Sequence, residues 1–459
     1  MSDTQPGRGR LTVEQLRAEV DAGRIDTVLV AFTDMQGRLQ GKRTDARFFV
    51  DDVLSHHAEA CNYLLAVDVD MTTVSGYAAS SWEQGYGDFV TIPDLSTLRW
   101  IPWFEGTALV LCDLESTEGA GVGPSPRQIL NRQLERLAER GWKAYVGTEL
   151  EFVVYRDTYE QAWQQGYRDL HPANLYNVDY SLLGTGRVEP LLRAIRLGMS
   201  GAGLTVESAK GECNLGQHEV AFRYTDALAT CDNHAIYKTG AKEIAAQQGM
   251  SLTFMAKPNQ REGNSCHIHL SLRDSYGTPV QAGPDGVSGM SKIGEHFLAG
   301  QLATMRDMSL MFAPNINSYK RYAAGSFAPT AIRWGRDNRT CALRLVGQGS
   351  SLRVENRVPG GDVNPYLAVA AIIAGGLHGV EQELPLEPIY ASNAYDDESA
   401  PRVPNTLRDA AQLWKSSDFA AAAFGADVVA HYANMARVEI EAFDAAVTDW
   451  EMIRGFERL

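Results

Sequence analysis

Four short motifs group ionisable side chains; three of them set these two residues apart, and on a β-strand positions i and i+2 share a face. The first is Glu149-x-Glu151 in GTELEFVVY. Two carboxylates on an apolar strand are costly unless a positive charge sits between them. A hard divalent ion such as Mg²⁺ takes such oxygens readily, whereas a solvated strand face would need no ion. The second is His267-x-His269 in NSCHIHLSL, where one or both rings ligate a metal, one contacts a substrate, or both lie at a polar surface. The third is Glu212 with Glu219 in GECNLGQHEV; Gly216 between them suits a turn that folds both carboxylates into one place. The fourth is Arg353-x-Glu355-x-Arg357, which reads as an anion clamp with an added carboxylate, or as a structural ion-pair ladder.

The surroundings of the fourth motif narrow the choice. Positions 320–357 carry the bases Lys320, Arg321, Arg333, Arg336, Arg339, Arg344, Arg353 and Arg357 against only Asp337 and Glu355. This is a strongly positive stretch inside a chain of net charge -15. A carboxylate-rich metal site beside an arginine-rich clamp is what phosphoryl transfer from a metal nucleotide requires. The chain has neither a GxxxxGK[ST] loop nor the protein-kinase HRD and DFG pair, so neither of those solutions is in use.

These motifs need strands to carry them. Residues 143–155 alternate as a strand and 265–272 form another, while 189–199 and 225–247 have helical spacing. Upstream, 11–22 reads as a helix with Thr12 as its cap and Glu14 and Gln15 in the first turn. Residues 27–32 read as a strand, followed by the turn 34–37 and a second strand to Arg43. Residues 64–69, 89–92 and 107–114 also read as strands. The turn-rich GAGVGPSP at 119–126 is a linker into an amphipathic helix over 127–140. The tail from 406 to 459 is mostly helical.

The 459 residues exceed what one core usually supports, so two domains are expected. Hydrophobic types at 44% and charged types at 22% describe a globular chain, and the acidic balance disfavours nucleic acids and anionic membranes. Six scattered cysteines form no short-spaced framework, as in a reduced, cytoplasmic protein. The first ten residues are polar and basic and read as a disordered tail rather than a signal peptide. The most apolar stretch, 365–380, is interrupted by three glycines and His378 and reads as a buried helix.

Taken in order, these motifs resemble the glutamine synthetase family over nearly the whole chain. NSYKRYAAGSFAPTAIRWGRDNRTCALRL is similar to the family's NxxKR…AP…NR segment, and NPYLAVAAIIAGG to another of its signatures. The resemblance implies an α+β glutamine synthetase fold. A β-grasp-like N-terminal domain would span 11–118 after the tail 1–10, and a larger catalytic domain with a curved antiparallel sheet and helices would span 119–459. It implies Glu151, Glu212 and Glu219 as ligands of one Mg²⁺ or Mn²⁺, and Glu149, His267 and Glu355 as ligands of a second. Arg321 and Arg357 would hold the carboxylates of glutamate, with Gly263 and His269 at the same end. Arg339, Arg344 and Arg353 would hold phosphates and the transferring phosphoryl group, with Tyr224 and Ser271 on the ATP side. It also implies a dodecamer of two hexameric rings with active sites between subunits.

Two departures fall at the acceptor end. Ammonium-using members carry a glutamate in the loop before the AP pair; here the segment is Ala324-Gly325-Ser326-Phe327-Ala328-Pro329, so Phe327 stands in the acid's place. The family's DGSS stretch has no match in 66–82. A phenyl ring accepts no proton and offers an apolar wall to a carbon-bearing amine. The expectation is an ATP-dependent ligase that activates glutamate as γ-glutamyl phosphate and passes it to an organic primary amine: ethanolamine, a polyamine, an alkylamine or an aniline. An ammonium-dependent glutamine synthetase and a catalytically inactive assembly protein are the alternatives.

Overall fold

The computed structural model of the chain describes residues 9–78, 80–82 and 85–459. Of the tail expected to be disordered, Gly9 and Arg10 are described and are tied down: Arg10 bridges Arg99 and donates to the Ser96 carbonyl at 2.6 Å. The rest of that expectation lies outside the described residues.

A mixed sheet is built from β1 (Thr27–Thr33), β2 (Leu39–Asp45), β3 (Ala58–Cys61), β4 (Asp88–Trp100) and β5 (Thr107–Ser116), in the order β2-β1-β5-β4-β3. Its N-terminal helix, Val13–Asp21, starts at a reciprocal cap between Thr12 and Gln15 and buries Leu16 and Val20, one turn apart. In the β1–β2 turn the buried Asp34 carboxylate accepts from the backbone of Gln36 and Arg38 and from both of their neighbours Arg38 Nε and Gln40 Nε2. The strand expected over 64–69 is not formed. Leu65, Ala66 and Val67 are buried one after another, which a half-buried strand does not allow, and the chain there makes the 3-10 turn Asn62–Leu65.

The larger sheet contains β6 (Trp142–Tyr155), β7 (Val206–Gly211), β8 (Gln217–Phe222), β9 (Thr225–Asp226), β10 (Ser251–Thr253), β11 (Cys266–Asp274), β12 (Trp334–Arg336), β13 (Leu343–Val346) and β14 (Arg353–Asn356). Its main path runs β12-β13-β14-β11-β6-β8-β7, antiparallel except between β12 and β13. The 14-residue β6 is its spine, and it changes partner along its length. From Trp142 to Leu150 it pairs with β11, and from Glu151 to Val153 with β8. The helix expected from Thr225 starts at Ala227, because Thr225 and Asp226 pair with β6 and Asp226 caps the helix through Ala229 N.

Helices cover the back of this sheet. Pro365–Glu381 is apolar on all sides and is buried among neighbours. Its glycines permit close contact with the helix Lys292–Thr304: a Cβ at Gly379 would lie 2.0 Å from the His296 carbonyl. No described helix is long and apolar enough to cross a membrane. The buried Arg127 ties the first sheet to a helix behind the second, reaching Asp94 and Asp113 on β4 and β5 at 2.5 and 2.8 Å and Asp232 of the helix Ala227–Gln247 at 3.1 Å.

Candidate active site

The partner change in β6 sets the site. Glu149 stands opposite His267 on β11, and Glu151 opposite Glu219 on β8. Side chains that alternate on one strand are thereby dealt into two adjacent groups.

In the first group Glu151, Glu212 and Glu219 bring oxygens within 4.8 Å of one another. Glu212 lies just past the end of β7, and the β7–β8 hairpin returns Glu219 to it. Ser265 N and Gln217 Nε2 donate to Glu151 Oε2 at 2.6 and 3.2 Å and fix that carboxylate. Burial pushes the Glu219 carboxyl up to about 8; Lys210 opposes the rise, and the charges of Glu149 and Glu151 add to it. Three hard oxygens that repel one another make a site for a divalent cation.

In the second group His267 Nδ1 lies 3.2 Å from Glu149 and 3.4 Å from Glu355. His269 Nε2 lies 2.9 Å from Glu149. Both histidines therefore face the carboxylate pair, and the hydrogen bonds separate their roles. Arg353 Nε donates to His269 Nδ1 at 3.3 Å, which assigns the His269 proton to Nε2, pointing at Glu149. His267 keeps a buried Nε2 with no partner among the described residues. Burial, with the charge of Arg357, lowers the His267 ring's affinity for a second proton. Burial alone would raise the Glu149 carboxyl, but the hydrogen bonds from His267 and His269 prevail and hold it far below the ordinary carboxylate range. Glu355 is fully buried, and there too His267 and Arg357 outweigh burial and keep it ionised.

The arginines divide by what they touch. Arg344 NH1 and Arg357 NH1 donate to the two oxygens of Glu355 at 2.8 and 2.5 Å. Arg344 also pairs with Asp337. Arg339 is exposed at the cavity wall. Arg321, expected to face glutamate, is almost fully buried, with its terminal nitrogens on the carbonyls of Val358 and Arg357 and on Ser265 Oγ. Only its Nε, and likewise the Nε of Arg357, is buried without a partner among the described residues. Gly263 lines the cavity just above it; a Cβ there would meet the Ala256 carbonyl at 2.3 Å, so a side chain does not fit.

Two cavities meet at Glu149, which lines both. One, of about 470 Å³, is bounded by Tyr224, Ser271, Arg353 and Tyr145. The other, of about 300 Å³, holds both carboxylate groups, Arg339, Arg344, Arg357 and Phe327. Phe327 adopts a left-handed φ of 60° and is 55% exposed, while its carbonyl accepts from Arg357 NH2 at 3.4 Å. The motifs gave no sign of Gln217, Ser265, Lys210 or Tyr180. The first two act on Glu151 by contacts across the sheet, and Tyr180 and Lys210 line the second cavity from outside the motifs.

The chain is similar to known proteins over nearly its whole length. The family model "Glutamine synthetase, catalytic domain" matches residues 124–454. The chain is 67% identical to "Gamma-glutamylethanolamide synthetase GlnA4" of Streptomyces coelicolor, over 98% of this chain and 96% of that one. It is 38% identical to "Glutamate--isopropylamine ligase" of a Pseudomonas species, over 96% of this chain and 97% of the relative. A solved structure of GmaS in complex with ADP superimposes with a TM-score of 0.84 at 28% identity, covering 96% of this chain and 99% of that one.

Proposed function

The chain belongs to the glutamine synthetase family, and from that premise we propose that it joins the γ-carboxylate of glutamate to a short primary amine of the ethanolamine type, using ATP. It is an enzyme of the glutamate–amine ligase branch. The observation that carries the acceptor reading is Phe327: a half-exposed phenyl ring stands at the cavity wall in a loop whose residues 324–329 contain no acid. Among short amines, ethanolamine is favoured by the likeness to the Streptomyces ethanolamide synthetase.

The donor sets fit two divalent ions. Three mutually repelling carboxylates form the first set. Glu149 and Glu355 form the second with the two histidines beside them: a His269 nitrogen lies within 4.8 Å of both carboxylates, and His267 Nδ1 lies 3.2 and 3.4 Å from them. In this reading Glu151, Glu212 and Glu219 hold one Mg²⁺ or Mn²⁺ and Glu149, His267 and Glu355 the other. Bound there, the ions would neutralise charge on the phosphates of ATP. Tyr224 and Ser271 take the nucleotide in the larger cavity, and Arg353 with Arg339 and Arg344 takes its phosphates. Arg357, Gly263 and the free Nε of Arg321 hold glutamate in the smaller cavity, and His269 orients Glu149 between the two.

A carboxylate oxygen of glutamate attacks the γ-phosphorus and the bond to the bridging oxygen of ADP breaks. The amine nitrogen then attacks the acyl carbon, the bond to the phosphate oxygen breaks, and the nitrogen loses a proton. Arg339 and Arg344 lie where charge develops in both steps, which is electrostatic stabilisation by preset groups. The same reading places the domain boundary at 118/119, the protein in the cytoplasm, and the active chains in a dodecamer of two hexameric rings. A phosphate-release screen with ATP, glutamate and ammonium, ethanolamine, methylamine, isopropylamine, putrescine or aniline tests it. Ethanolamine is expected to give the highest kcat/KM; ammonium matching or exceeding it would overturn the acceptor assignment.

A further inference from the structure

The first carboxylate group already contains a cation. Lys210 on β7 is directly opposite Glu219 on β8, so the register sets its side chain on the same face as that carboxylate. Glu212 lies two residues further on. The Lys210 ammonium pairs with Glu212 and lies 3.7 Å from Glu219, on the same cavity wall as Glu151. On its other side the ring of Tyr180 lies 5.1 Å from the ammonium. Tyr180 is 74% exposed and lines the same cavity, and the Lys210 side chain is 25% exposed.

We propose that Lys210 is a displaceable placeholder cation: its ammonium occupies the first metal position while that position is unloaded, and it moves toward the Tyr180 face when a divalent ion enters. The inference rests on the reading of Glu151, Glu212 and Glu219 as metal ligands. The physical reason is that three carboxylates within 4.8 Å of one another repel strongly when nothing positive lies among them. A tethered ammonium relieves that repulsion at no cost in translational freedom, so the hairpin keeps its ligands together without metal. The same charge must be pushed aside before a divalent ion binds, which weakens that ion's apparent affinity. The aromatic face of Tyr180 gives the displaced ammonium a nearby resting place. Lys210 is thus a positioning residue that holds the first site in shape and sets the metal concentration at which it fills.

The test uses the full-length protein stripped of metal with a chelator, comparing wild type with Lys210→Met, Lys210→Gln and Lys210→Arg. Free Mn²⁺ is followed by electron paramagnetic resonance during titration, and thermal unfolding is followed with and without Mn²⁺. Both neutral variants are expected to bind Mn²⁺ at one site about tenfold more tightly, with the second site unchanged. Without metal they are expected to melt below wild type, and saturating Mn²⁺ is expected to close the gap. Lys210→Arg, which keeps the charge, is expected to melt like wild type when metal-free. Wild type and neutral variants binding two Mn²⁺ with the same affinities would overturn the role of Lys210 while leaving the metal site intact. Wild type binding no Mn²⁺ would overturn the metal reading itself. A Lys210→Met variant too unstable to strip is replaced by Lys210→Gln, whose amide still bonds to a carboxylate but carries no charge.

Discussion

Glu355 is the most exacting place to test the site, because it is fully buried and three cationic or protonatable groups converge on it. Arg357 NH1 and Arg344 NH1 donate to its two oxygens at 2.5 and 2.8 Å, and His267 Nδ1 lies 3.4 Å away. Glu355→Gln keeps the volume and removes the charge. It leaves Arg357, itself buried, without its counter-ion, and breaking one side of a buried pair costs about 3–5 kcal/mol. The amide NH₂ also points a donor at one of two groups that already donate. Arg344 is cushioned by Asp337, so the loss falls mainly on Arg357 and on the second metal position. Activity is expected to fall by about 10²–10³-fold, the scale seen when one preset charge is removed from a transition-state site. The assay is ATP- and glutamate-dependent phosphate release at saturating Mg²⁺, paired with urea unfolding of the same preparations. Folded Glu355→Gln that releases phosphate within tenfold of wild type would refute the placement of Glu355 at the phosphoryl-transfer end. Loss of stability without loss of activity would reduce the motif to the ion-pair ladder.

Other expectations follow from single contacts. Phe327→Glu restores a carboxylate to the acceptor wall and is expected to raise kcat/KM for ammonium relative to ethanolamine; an unchanged ratio in the amine screen would count against the wall. Arg127→Ala leaves Asp94, Asp113 and Asp232 facing one another and is expected to cost about 3–5 kcal/mol in urea unfolding, with Arg127→Lys a poor rescue because one ammonium cannot span three carboxylates. Burial depresses His218 and His431 to about 4, below the 6.5 of an unfolded histidine. Each therefore contributes fully above pH 6.5, and that contribution is lost as pH falls through 4, about 3 kcal/mol per ring. Metal-free His431→Phe, which keeps an aromatic ring against Tyr77, is expected to lose less stability than wild type on acidification between those values; parallel pH curves would sink the assignment.

Much of this site was legible before any coordinates. Period-two spacing is a local property, and Glu149-x-Glu151, His267-x-His269 and Arg353-x-Glu355 each lie on strands that put the alternate residues on one face, with Arg357 just past the end of its strand. The excess of arginine over 320–357 marked a stretch that supplies Arg339, Arg344 and Arg357 to the smaller cavity. The short apolar run at 64–69 misled, because the chain there turns through Asn62–Leu65 instead of extending. Which partner each residue meets was beyond the sequence, because register is decided by pairing between distant segments. β6 lies between β11 and β8, pairing with β11 up to Leu150 and with β8 from Glu151, and that difference places Glu149 and Glu151 in different side-chain groups. Pairing across β7 and β8 likewise turned Lys210, an unremarked lysine in the chain, into a cation among carboxylates. The fold also gave Arg321 carbonyl partners that occupy its outer nitrogens. The sequence by itself determined which chemistry this chain carries, since residue type and spacing are written locally; tertiary structure alone decided which charges face which, since that depends on the pairing of separate strands, with partners such as Glu149 and His267 lying 118 residues apart.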